Sequence, residues 1–367
     1  MKIGIDCRFW NATGVGRYTR NLVRELQELD KNNEYILFIN QGDITQIYNQ
    51  LNNSRFHIKI VDIKWHTFSE QLQYPRILLR EQIDLMHFPY FSLPLFYPRP
   101  FVVTIHDLIL HHYATGKTST LPLPFYYVKL LGYRFLVQQS AKRAKKIITV
   151  SESTKQEIIE HLHIPEQKIV VTYEGIDSSL IESTKRNFYG KYFLHVGNVY
   201  PHKNISLLIE AFTQTNLPDV ILLFVGKRDY FMEKLEKDIH KKGLSNKVLF
   251  LGAVDDIQLA TLYKHALATV VPSLMEGFGL PVVEALANKC LVIASDIPSL
   301  REVGQNAVLY FNPFNKQELS DILYNVAQNS AKFEDKKKEG IKLIRRYSWK
   351  RMAEQTLAVY ESCISLR

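Results

Sequence analysis

The chain has 367 residues, of which 46% are hydrophobic and 23% charged, a globular composition able to bury the cores of two domains. Cys7, Cys290 and Cys363 form no C-x-x-C pair, so neither a zinc knuckle nor a disulfide framework is indicated, which fits a reducing cytosol. A formal charge of +9 favours an acidic partner such as an anionic lipid surface or a nucleotide diphosphate; no nucleic-acid motif accompanies it, and no apolar run reaches the ~18 residues of a membrane span.

Residues 2–7 read as a buried strand that begins without a leader. A loop follows with Gly14 and Gly16, then a helical pattern (Leu22, Val23, Leu26, Leu29). Two glycines ahead of a helix permit close backbone approach to a ligand. A third glycine is missing, so this is no dinucleotide fingerprint, and a tight strand-to-helix turn is the other reading. Residues 34–40, 56–61, 84–88 and 101–105 read as further strands. Strands alternating with helices predict a parallel doubly wound sheet, whose ligands sit beyond the carboxyl ends of the strands. His106 stands at one such end, with Asp107 beside it to orient the ring. His111 and His112 raise a metal site, but no carboxylate or cysteine spacing completes a shell.

Residues 121–146 mix Phe125, Tyr126, Tyr127, Leu130, Leu131, Tyr133, Phe135 and Leu136 with Lys129, Arg134, Lys142, Arg143, Lys145 and Lys146. Two readings stand: a basic amphipathic helix on an anionic membrane, or a long helix packed on its domain with a solvated basic end. Residues 147–150 read as a strand ending at a helix cap, Ser151 or Ser153. Residues 169–177 close the first half, and 178–191 read as a linker.

A second sheet opens at residues 192–197. Its loop carries Asn198 and Lys203 before an amphipathic helix (Ile205, Leu208, Ile209, Phe212). A cation in a first helical turn opposes the dipole, so an anionic partner explains Lys203 better than solvation does. Residues 220–225 and 248–252 read as strands, the first followed by Gly226, Lys227 and Arg228. Residues 257–266 read as a helix, 266–271 and 291–296 as strands, 335–339 as a solvated helix face, and 349–364 as the last helix.

The stretch 272–288 organises the rest. A strand runs into a loop with Glu276, Gly277, Phe278 and Gly279, and Leu280 and Pro281 open a helix that carries Glu284. Backbone N–H groups and the helix dipole converge there on an anion. Two carboxylates would repel a phosphate but can accept hydrogen bonds from hydroxyl groups on either side of it. Hydroxyls, phosphate and hydroxyls in series describe a sugar nucleotide.

Glu276 and Glu284, seven residues apart around Gly-Phe-Gly-Leu-Pro, resemble the Glu-x7-Glu signature of the retaining GT-B glycosyltransferases of family four. The resemblance extends to residues 14–16, 104–108, 197–204 and 226–228, hence over nearly the whole chain, and within the family it is nearest to bacterial mannosyl-transferring members. It implies an α/β fold with two Rossmann-like doubly wound domains facing a central cleft: residues 1–178 on the acceptor side, completed by the helix 349–367, and residues 191–345 binding the nucleotide sugar. It implies that Glu284 holds the ribose hydroxyls, that Glu276 contacts the donor sugar, and that Gly277, Phe278, Gly279 and Leu280 bind the diphosphate with Lys203, Gly14 and Gly16. His106 would lie near the reacting end of the sugar. The family often has Arg where this chain has Asn198, and Arg228 is the expected substitute.

The expected activity is transfer of a hexose, mannose favoured with GDP-mannose as donor, to a saccharide or lipid-linked saccharide of a surface polysaccharide. No Asp-x-Asp motif is present, so neither metal nor cofactor is expected beyond the donor. The expected place is the cytoplasm or the inner face of the cytoplasmic membrane. A nucleotide-sugar epimerase of the same architecture would act without an acceptor, and a non-catalytic nucleotide-sugar-binding protein would bind donor without turning it over.

Overall fold

The computed structural model describes residues 1–113, 123–177, 180 and 189–364. Most of the expected linker and the first two residues of the 121–146 segment lie outside them. The chain divides into two compact units, Met1–Glu174 with Ser348–Arg367, and Gly175–Tyr347.

Among the described residues the first unit is built on seven strands: β1 (Lys2–Asp6), β2 (Glu34–Ile39), β3 (Phe56–Ile60), β4 (Leu85–Phe88), β5 (Phe101–Ile105), β6 (Lys146–Thr149) and β7 (Ile169–Val171). Their order is β3-β2-β1-β4-β5-β6-β7, with every pair parallel. The central strands β1, β4 and β5 are near-continuous apolar runs, as required when both faces of a parallel sheet are covered. The helix Gly14–Leu29 buries Tyr18, Leu22, Val23 and Leu26. Ser151 caps the helix Glu152–Leu162 by accepting from the Thr154 N–H.

The terminal helix Trp349–Ile364 lies against Gly14–Leu29. A buried polar chain sets its register: Tyr360 Oη lies 2.7 Å from His87 Nδ1, and His87 Nε2 lies 2.8 Å from Thr104 Oγ1. Burial pushes His87 down to about 3, with His106 adding to the shift. The ring is therefore neutral at physiological pH and can both give and take a hydrogen bond.

Among the described residues the second unit holds six parallel strands: β8 (Lys191–Val196), β9 (Val220–Val225), β10 (Val248–Gly252), β11 (Ala268–Val271), β12 (Val292–Ser295) and β13 (Val308–Phe311). Their order is β10-β9-β8-β11-β12-β13. The sequence reading did not identify β13. Its four residues are too short a run to separate from a buried loop or helix segment by periodicity, and pairing with β12 decides it.

Candidate functional site

In the second unit the strand order reverses between β8 and β11. Doubly wound sheets bind ligands beyond the carboxyl ends of the strands flanking such a point. Two loops leave there, residues 197–204 after β8 and 272–279 after β11.

The first loop depends on glycine. Gly197 takes φ 134°, and a Cβ on Gly226 at the end of β9 would lie 2.1 Å from Gly197 O. A 3-10 turn, Pro201–Lys203, then ends on Asn204 in the left-handed region, whose amide donates to Pro313 O at 2.8 Å. The two loops are joined where Leu274 N–H donates to His202 O at 2.7 Å.

That junction brings Lys203 Nζ within 2.6 Å of Glu276 Oε1, and Ser273 Oγ donates to the same oxygen at 2.7 Å. The two charged side chains are only 15% and 10% exposed. Burial alone would raise the Glu276 pKa, but the ammonium of Lys203 and the hydroxyl of Ser273 hold it below the usual carboxylate range. His202 is pushed down to about 4 by burial and by Lys203. His195 on β8 donates from Nδ1 to Val270 O on β11 at 3.0 Å, and burial likewise lowers it to about 4. Both rings are neutral at pH 7, so Lys203 supplies the positive charge of this cluster. His195 Nε2 and Asn198 Oδ1 are buried without a protein partner.

The second loop turns on Gly279, φ 95°, which caps the helix Leu280–Ala287. A Cβ there would clash only with the terminal methyl of Leu300, at 2.6 Å, so it is the left-handed conformation that requires glycine. Phe278 directs its ring into the unit, edge-on to Tyr347 at 5.5 Å. Glu284 is buried, and Tyr263 Oη donates to its Oε2 at 2.7 Å. The two carboxylates of the motif thus have separate partners: Lys203 with Ser273 for one, Tyr263 for the other. Sequence reasoning named neither Ser273 nor Tyr263. Ser273 was findable, three residues ahead of Glu276; Tyr263 lies 21 positions from Glu284 and carried no local signal.

Arg228 stands apart from that cluster in its bonding. It is more than half exposed and pairs with Glu236 at 3.2 Å. That contact uses one of the five guanidinium N–H donors and does not by itself exclude a phosphate.

In the first unit Gly14 meets open space, whereas a Cβ on Gly16 would lie 2.5 Å from Trp10 O. Gly16 therefore serves the packing of its own loop. His106 sits at the end of β5. Its Nε2 donates to Pro89 O at 3.0 Å, and its Nδ1 lies 3.4 Å from Glu174 Oε1. The expectation that Asp107 orients His106 is corrected: Glu174, at the end of the first half, faces the ring, while Asp107 accepts from Ile109 N–H at 3.0 Å. An aspartate directly after a histidine can fold back on the following backbone instead, as Asx turns do. As for a metal at His111 and His112, no group of three His, Cys, Asp or Glu is placed to hold one among the described residues.

A buried ionic cluster closes the carboxyl end of β1. Arg8 is bidentate to Asp6 at 2.9 and 2.7 Å, donates to Glu70 at 2.7 Å and to Ile63 O at 3.1 Å, and stacks on Tyr74. Ser92 Oγ and His66 N–H donate to Glu70 in turn. Burial would lower the Arg8 pKa, but Asp6 and then Tyr74 reverse that and raise it.

Two family models match successive stretches of the chain: Glyco_transf_4, glycosyltransferase family 4, over residues 12–180, and glycosyl transferases group 1 over 179–343. An O-antigen chain mannosyltransferase of Salmonella typhimurium is 29% identical over 332 residues, 87% of this chain and 88% of the relative. O-antigen chain mannosyltransferase B of Escherichia coli is 28% identical over 380 residues, covering 95% and 96%. Among solved structures, sucrose-phosphate synthase from Thermosynechococcus elongatus superposes with a TM-score of 0.80 at 17% identity, over 100% of both chains. An Anabaena protein in complex with UDP and glucose gives 0.77 at 18% identity, over 99% and 100%. At these identities the structural matches speak to the fold alone.

Proposed function

The chain belongs to the group 1 and family 4 glycosyltransferases and has their GT-B fold, and from that premise we propose that it moves mannose from GDP-mannose, with retention, onto a saccharide or lipid-linked saccharide of a surface polysaccharide. The mannosyl and surface-polysaccharide parts rest on the two O-antigen mannosyltransferase relatives. The observation that carries the site is Lys203 held against Glu276 at the switch point of the second sheet.

The Lys203–Glu276 pair carries no net charge. An incoming diphosphate draws the ammonium, and hydroxyls of the donor sugar replace it at Glu276, so neither buried charge is left alone. The diphosphate lies along 277–280, where the helix Leu280–Ala287 begins and its dipole is positive. Glu284 accepts from the ribose hydroxyls while Tyr263 fixes the carboxylate. As the anomeric C–O bond breaks, negative charge grows on the leaving phosphate, and Lys203 with the loop amides stabilises it. The acceptor hydroxyl attacks from the face the phosphate leaves and gives it the proton. His106 has both ring nitrogens engaged within the first unit, Nε2 by Pro89 O and Nδ1 by Glu174, so no sugar contact is assigned to it. Lys203 and the amides supply the charge that a metal would otherwise bring, so activity should survive a chelator.

We place the enzyme in the cytoplasm, peripheral on the inner face of the cytoplasmic membrane. No helix among the described residues is long and apolar enough to cross a membrane. The membrane reading rests on the exposed apolar residues of the helix Leu123–Arg143 and the net positive charge.

The test is a panel of GDP- and UDP-sugars against the purified chain, read by melting temperature and by transfer. GDP-mannose should give the largest shift, since a ligand of the folded state raises stability with its affinity, and the product should keep the α configuration. An inverted product, a preference for UDP-sugars, or donor conversion without acceptor would sink the reading; the last outcome favours an epimerase.

A further inference from the structure

The helix Leu123–Arg143 has a face that the transfer reaction does not use. One side packs into the first unit through Tyr126, Leu130, Val137 and Ala141. The opposite side carries Phe125, Val128, Leu131 and Phe135, each between 57% and 70% exposed. A surface helix ordinarily turns its polar residues outward. Single exposed apolar residues are common, but four at helical spacing form a continuous stripe.

Arg134 and Gln138 flank this stripe, one turn apart, and line an open cavity of about 340 Å³ with His111, His112 and His161. The rings of His112 and His161 meet edge to face at 4.7 Å. Arg134 Nη2 donates to His111 O at 3.1 Å, which steadies the guanidinium at the wall. His111 Nδ1 is buried with no protein partner. Glu157 Oε2 lies 3.9 Å from His112 Nε2, and burial, with Asp107 and Glu160, pushes that carboxyl up to about 7. Its protonated form is itself a donor. A cation is opposed by the arginine, and no metal-holding group is present among the described residues. What the cavity offers is the guanidinium of Arg134 and the Gln138 amide beside imidazole rings, of which burial lowers His111 and His112 so that each neutral ring keeps one N–H to give, a donor set able to hold phosphate while Glu157 is protonated.

We propose that this cavity takes the phosphate of an anionic membrane lipid, with the stripe Phe125, Val128, Leu131 and Phe135 entering the acyl boundary beside it. The lipid is favoured over free phosphate because the anion site and the unpartnered apolar stripe lie on adjoining faces of one helix, as the two parts of a lipid do. The proposal rests on the peripheral-membrane reading and goes beyond it. A diffuse basic surface responds to charge density alone, whereas a built cavity distinguishes one headgroup from another of equal charge.

The experiment is co-sedimentation of the full chain with phosphatidylcholine vesicles containing phosphatidic acid or, at equal surface charge, phosphatidylglycerol. The exposed phosphomonoester should bind about tenfold more tightly, the worth of one added charge-assisted hydrogen bond. The double variant Arg134→Gln/His161→Gln, checked for folding by thermal melting, should lose that preference and keep the phosphatidylglycerol affinity. Leu131→Ser/Phe135→Ser should lose binding to both vesicles. Transfer to a water-soluble acceptor should stay at the wild-type rate in each, which separates this site from the donor site. Equal binding of the two lipids by the wild type, or a preference that survives Arg134→Gln/His161→Gln, overturns the cavity while leaving membrane attachment intact. Absence of binding to either vesicle overturns both. Inorganic phosphate that broadens the His112 and His161 NMR signals without any vesicle preference overturns the lipid as occupant.

Discussion

Strands β1 and β8 hold the same place in their sheets, each first in its unit and next to the point where the order reverses, yet their carboxyl ends are put to opposite use. Beyond β1, Arg8 is 1% exposed, and its donors are spent on Asp6, Glu70 and Ile63 O. Beyond β8, Lys203 has one carboxylate partner and retains some exposure. An ammonium has three donors, and the contacts to Glu276 leave room for an incoming phosphate. The same topology thus yields a closed ionic lock in one unit and an exchangeable pair in the other. A charge at a switch point is therefore not evidence of a ligand site by itself; what matters is how many of its donors the fold has already consumed.

The largest effect should come from breaking the lock. Arg8→Met strands two buried carboxylates, and leaving buried charge unpaired costs about 3–5 kcal/mol. Calorimetry should show the melting temperature falling sharply. Nucleotide affinity measured on the protein that remains folded should be unchanged, and a specific loss of donor binding would erase the contrast drawn between the two ends.

Lys203→Met should act the other way round, cutting kcat by roughly 10²–10³, the range for removing a donor aimed at developing charge, with a smaller loss of stability. Its pH profile sharpens the point. The depressed pKa of Glu276 means that its contribution is present above the ordinary carboxylate value and disappears as pH falls through the lower folded value. Acid unfolding of the wild type should include that loss, and Lys203→Met should lack it. Wild-type turnover in this variant would remove Lys203 from the site.

A smaller effect is expected at Tyr263, where Phe removes the donor to Glu284. One hydrogen bond to a charged group is worth about 1.5–3 kcal/mol, and since a ribose hydroxyl can satisfy part of that, roughly a tenfold rise in KM with little change in kcat is expected. Steady-state kinetics on donor concentration decides it. A fall in kcat at constant KM would place Tyr263 near the chemistry instead.

Much of the second-unit site was legible because its signals are local. Gly279 is needed for φ 95° and Pro281 for a helix start, and the Glu276–Glu284 spacing lies within one loop and one helix turn. Alternating strands and helices foretold two parallel sheets for the same reason. The partners were not legible. Glu70 lies 62 residues from Arg8 and Glu276 lies 73 from Lys203, and no pattern along the chain reports which distant side chain turns toward which. The error at His106 has the same origin: Asp107 was adjacent in sequence, but a backbone N–H two residues on claimed it, and Glu174 arrived from another strand end.

The residues 121–146 show the division most plainly. Their composition established that a helix with aromatic and basic side chains would form. Which side would be buried depended on the sheet against which it packs, since apolar residues occur around its whole circumference and periodicity alone cannot choose between them. Packing buried Tyr126, Leu130 and Val137 and left Leu131 and Phe135 outside. Local backbone preference is written residue by residue along the chain; the allocation of faces, donors and charges is settled only when distant segments compete for the same space.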